Sequence, residues 1–97
     1  MDRIYVDIEK RYTYSTTIQG RTVKVEFIWD GRMRMTYLVV ITVFGESHDL
    51  PGYNPFSYIN SARVFLKTVR DLERIETLKG LREYLENLGI KLVSEAK

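Results

Sequence analysis

In the first half of the chain apolar and polar residues alternate; in the second they recur every three to four positions. Alternation is the period of a strand with one buried face, and the longer spacing that of a helix with one apolar stripe. Strands followed by helices, without interleaving, indicate an α+β fold in one domain: a β meander over residues 3–45, a helical part over 54–89, and a possible C-terminal edge strand over 90–95.

The first strand is expected from Arg3 to Ile18, with a possible break near Glu9-Lys10. Ile4, Val6, Ile8, Tyr12 and Tyr14 alternate there with polar residues. Gln19-Gly20 suits a two-residue hairpin turn, glycine taking the positive φ such a turn requires. That turn pairs Tyr14 with Val25, Tyr12 with Phe27 and Thr16 with Val23, so apolar residues meet on one face.

The next stretch, VKVEFIWDGRMRMTYL, folds about Asp30-Gly31. A two-residue turn would mix the faces. A three-residue loop, Trp29-Asp30-Gly31 with a glycine bulge, instead sets Phe27 against Met33, Val25 against Met35 and Val23 against Tyr37. Trp29 then lies in the turn. The run LVVITVF, residues 38–44, is expected to be buried on both faces or paired centrally, and GESHDLPGYNP to be a loop.

Asn54-Pro55 reads as a helix start, followed by an apolar stripe of Phe56, Ile59, Ala62, Leu66, Val69 and Leu72. A second helix from about Thr77 to Leu88 presents Leu78, Leu81, Leu85 and Leu88. Gly89 fits a left-handed cap that returns Ile90 toward Leu85. The expected architecture is a three-stranded antiparallel meander with two helices packed on one face and an optional edge strand.

Strand and helix order of this kind resembles that of sheet-type DNA readers, the integrase arm-binding and plant AP2-type domains. The outline of a carboxylate-bearing first strand (Asp7, Glu9) before a meander and helices is also similar to ribonuclease H-like nucleases. Neither resemblance is carried by a family motif in this chain.

Composition narrows the chemistry. The 97 residues include no cysteine and a single histidine, His48, so disulfides, thiolate metal sites and histidine-rich metal sites are excluded. No metal site and no cofactor are expected. No Gly-rich phosphate loop, nucleophile elbow or HExxH occurs, and a non-enzymatic protein is the expectation. Glu46, His48 and Asp49 are a candidate metal or acid–base cluster, outweighed by their reading as ordinary loop residues. No apolar run is long enough to span a bilayer and Met1 leads directly into a strand pattern, from which a cytoplasmic protein is expected. Scarce Gln and Cys beside abundant Arg, Lys, Glu and Ile lean toward a thermophilic source.

The net charge of +2 permits an acidic partner without requiring one. The expected registers leave rows of Arg11, Ile28 and Arg32, then Thr13, Glu26 and Arg34, then Ser15, Lys24 and Thr36, on the face away from the helices. Cations would meet phosphates, hydroxyls would add hydrogen bonds and Trp29 a stacking surface. The candidate nucleic-acid contacts are therefore Arg11, Lys24, Arg32, Arg34 and Trp29. Against this stands a plain solvated face. Arg63, Lys67, Arg70 and Arg74 on the first helix are the next place for phosphates. The alternative is a homodimeric protein–protein interaction module, with Leu38, Val40 and Phe44 as its covered apolar surface.

Overall fold

The computed structural model describes residues 4–6, 11–30 and 36–93. Five strands, β1 (Ile4–Val6), β2 (Arg11–Ile18), β3 (Arg21–Asp30), β4 (Thr36–Val43) and β5 (Glu46–Asp49), form one antiparallel sheet in the order of the chain. Helices α1 (Tyr58–Glu73) and α2 (Leu78–Asn87) follow, and the α+β class holds.

The β2–β3 hairpin has the expected register: Tyr14 faces Val25, Tyr12 faces Phe27 and Thr16 faces Val23. Gln19 and Gly20 both take positive φ, 47° and 82°, the mirror-image turn whose twist matches that of paired strands. Gln19 has a second task. Its side-chain oxygen accepts the Leu78 N–H at 2.7 Å, serving one of the donors left over at the start of α2. Thr77 Oγ1 accepts another, from Gly80 at 3.0 Å.

The β3–β4 pairing differs from expectation. Phe27 faces Val39, Val25 faces Ile41 and Val23 faces Val43, so β3 continues through Trp29 to Asp30 and the bulged Trp29-Asp30-Gly31 loop does not form. The slip is six residues. It carries the apolar run of β4 fully alongside β3, where Val39, Ile41 and Val43 are completely buried beneath the helices. Because six is even, Val23, Val25 and Phe27 keep the face expected of them, as do Leu38 and Val40.

Two further differences concern the edges. The expected long first strand is a hairpin, with Ile4 facing Tyr14 and Val6 facing Tyr12; the anticipated break at Glu9-Lys10 lies outside the described residues. The place beside β4 assigned to residues 90–95 is taken by β5, which lies within the expected loop. A turn at Phe44-Gly45, φ 53° and 80°, makes this possible. Such a φ is uncommon for a bulky side chain. The Phe44 ring packs against the core margin with the Arg21 guanidinium 4.4 Å from its centre.

β5 is shorter than β4, and the uncovered end of β4 is closed by other groups. Leu50 N–H donates to Val39 O at 2.9 Å, the Tyr53 hydroxyl accepts Val39 N–H at 2.6 Å, and Tyr37 N–H reaches Pro55 O at 2.6 Å. Ser61 Oγ donates to Tyr37 O at 3.1 Å. A sheet edge that would otherwise invite pairing is thus covered by loop and helix.

α1 begins later than Asn54-Pro55 suggests. Ser57 caps it, accepting from Asn60 N–H, while Asn54 Oδ1 accepts from Phe56 N–H in the preceding turn. α2 ends as expected: Gly89 has φ 82°, Gly89 N–H donates to Glu86 O, and Ile90 N–H returns to Leu85 O at 3.0 Å. The core lies between the inner sheet face and Phe65, Leu72, Leu81 and Leu85.

Candidate interaction surfaces

The outer face of the sheet is the first candidate. Its rows read Arg11–Ile28–Leu38, Thr13–Glu26–Val40–Asp49 and Ser15–Lys24–Thr42–Ser47. Leu38 and Val40 thus take the places expected for Arg32 and Arg34 opposite Ile28 and Glu26. Arg32 and Arg34 themselves lie outside the described residues. Arg11 and Lys24 do share this face, both beside one carboxylate: Glu26 is 3.6 Å from Arg11 and 3.9 Å from Lys24. With Asp49 added, charge on these rows balances among the described residues.

Trp29 is not on this face. Paired with Tyr37, two positions beyond inward-facing Phe27 and one beyond outward-facing Ile28, it falls on the helix side of the sheet, away from Arg11 and Lys24. The expected apolar trio is divided as well. Leu38 and Val40 join Ile28 on the outer face, half-buried, whereas Phe44 sits in the β4–β5 turn.

Glu46, His48 and Asp49 do not converge. Strand alternation puts Glu46 and His48 on one side of β5 and Asp49 on the other. His48 Nε2 lies 3.1 Å from Glu46 Oε1, and the Glu46 carboxylate also accepts the Val93 N–H. This carboxylate fastens the C-terminal segment to the sheet. Among the described residues no cluster of three His, Cys, Asp or Glu side chains could hold a metal ion. Asp7 and Glu9 lie outside those residues.

The second candidate surface was hidden in the expected helix stripe. α1 buries Ser61, Phe65, Thr68, Val69 and Leu72, a face rotated from the expected one. The polar members are satisfied: Ser61 by Tyr37 O, and Thr68 by Val64 O at 2.7 Å. Phe56, Ile59 and Leu66 are left outside, 58%, 62% and 45% exposed, with Tyr58 at 49%. Tyr58 is partly held, its ring 5.4 Å from those of both Phe27 and Tyr37. A hydrogen bond with Tyr12 pushes its hydroxyl pKa up.

The two flanks of α1 differ for a structural reason. On one side Asp71 accepts the Tyr84 hydroxyl of α2 at 2.9 Å, and Asn60 and Val64 border the loop carrying Tyr53. On the other, Ile59 and Leu66 are exposed.

Between the first flank and the loop runs an open cleft of about 560 Å³ bordered by Tyr53, Asn54, Asn60, Arg63 and Val64. Burial pushes the Tyr53 hydroxyl pKa up, against the hydrogen bond from Val39. No helix among the described residues is long and apolar enough to cross a membrane. Comparison with known protein families, curated proteins and solved structures returned no match.

Proposed function

We propose that the protein is a non-enzymatic interaction module that binds another protein through the open flank of α1. The observation that carries this reading is the set Phe56, Tyr58, Ile59 and Leu66, four large apolar side chains exposed on and just before one helix. Single surface hydrophobes are ordinary, but four large ones gathered on one short segment favour a role in binding. A photo-cross-linking amino acid placed at Leu66 should give an adduct of discrete mass in cells, and one at Thr22 on the outer sheet face should not. The reverse pattern would overturn the reading.

Nucleic-acid binding by the outer sheet face is the second reading. It is favoured by rows of Ser and Thr hydroxyls flanking Arg11 and Lys24. If it holds, duplex DNA binding should weaken with salt by roughly 0.9 decades per phosphate contact per decade of salt, and Lys24→Ala should lower that slope by about one contact. Absence of binding at low salt would dismiss it.

A further inference from the structure

We infer that the open flank of α1 takes an acidic, apolar segment of a partner protein, whose carboxylates meet Arg63 and Arg70. This rests on the interaction-module reading and adds the partner's chemistry. At 3.6 residues per turn, Leu66, Ile59, Arg70 and Arg63 succeed one another within about 60° of arc. The apolar strip therefore has a cationic border along its outer length.

That border is open to a new partner. Of the cations on α1 and at its C-cap, Lys67 is engaged by Asp71 at 2.9 Å. Arg63, Arg70 and Arg74 are exposed, and no carboxylate lies within 4.0 Å of them among the described residues. The one exposed carboxylate on this helix is Glu73. Beyond Arg63 the surface continues into the cleft bordered by Asn54 and Asn60. Asn54 Oδ1 accepts from Phe56 N–H, which fixes the orientation of the amide, and its NH2 group carries two donors, which suit a carboxylate.

Two other occupants fit less well. A nucleic-acid backbone would use the arginines but leave Phe56, Ile59 and Leu66 in water. A second copy would use the apolar strip. However, a two-fold axis between antiparallel α1 helices maps each rim of the seam onto itself, bringing Arg63 and Arg70 of both protomers to one rim. Like charges would gather there. The four apolar side chains present on the order of 400 Å². A standard interface buries about 800 Å² per partner, a little over half of it apolar, so strip and arginines together match its size and mixture.

The test uses two labelled helical peptides about five turns long, each with leucines along one face, bordered by Glu in one and by Lys in the other. Fluorescence anisotropy should show the Glu peptide binding at least about tenfold more tightly than its Lys twin. Arg63→Glu with Arg70→Glu should reverse that order, and Leu66→Glu should remove binding of the Glu peptide. Equal binding of both peptides, abolished by Leu66→Glu, would overturn the acidic preference and leave the docking flank standing. Binding of neither peptide, or preferential binding of duplex DNA through the same arginines, would overturn the inference. Failure of the broader reading shows separately, as an absence of adducts from position 66.

Discussion

Phe65 and Leu66 are neighbours in sequence and opposites in setting. Phe65 is 1% exposed and packs edge-on to Tyr12 and close to Phe27, while Leu66, the next residue, is 45% exposed on the opposite flank. The inward face of α1 is closed to the point of accommodating two hydroxyl residues, each hydrogen-bonded. The outward flank carries aliphatic side chains in water. Selection for folding alone would favour the reverse assignment, so the difference points to a use for the outer flank beyond stability.

The largest expected effect is at the closed side. Phe65→Ala should cost about 3–5 kcal/mol in urea unfolding, through lost burial and the cavity left behind. Leu66→Ala should stay within about 0.5 kcal/mol. Comparable losses at both positions would erase the distinction between the two sides.

Next in size is Tyr53→Phe. It removes the acceptor for Val39 N–H where β5 has ended, and an unsatisfied buried donor costs about 1–3 kcal/mol. Hydrogen exchange at Val39 should accelerate with it. The N-caps follow: Ser57→Ala and Thr77→Ala should each cost about 1 kcal/mol, with Thr77 partly backed by the Gln19 contact to Leu78.

The last effect concerns pH. Burial first, then the hydrogen bond and charge of Asp71, pushes the Tyr84 pKa well above its usual 10.0. The folded state therefore holds this proton more tightly than the unfolded chain. The contribution is fully present below pH 10, and is lost as pH rises above that value, where unfolding releases a proton. Tyr84→Phe should flatten the alkaline decline of stability by at most about 1.4 kcal/mol per pH unit. An identical decline in the variant would show that Tyr84 does not contribute.

Legibility in the sequence followed the range of the interactions. The β2–β3 hairpin and the Gly89 cap could be read because each is set by local backbone needs, a positive φ at a residue that tolerates it. The β3–β4 register could not. Alternation distinguishes odd slips from even ones but is blind to a slip of six, and the local Asp30-Gly31 signal was overridden by burial of Val39, Ile41 and Val43. β5 was missed because its turn places an aromatic, Phe44, in the left-handed region. The phase of α1 was misread because Ser61 and Thr68 occupy inward positions, so an apolar stripe drawn by hydropathy drifts onto Ile59 and Leu66. That error marks the candidate site: apolar residues expected inside and found outside.

The most direct test is urea unfolding of the double variant Ile59→Glu/Leu66→Glu beside the unaltered chain. If the strip serves a partner and not the fold, the two unfolding free energies should agree within about 0.5 kcal/mol. A loss of more than about 2 kcal/mol would place these side chains in the folding core, and the open flank would not be a docking surface.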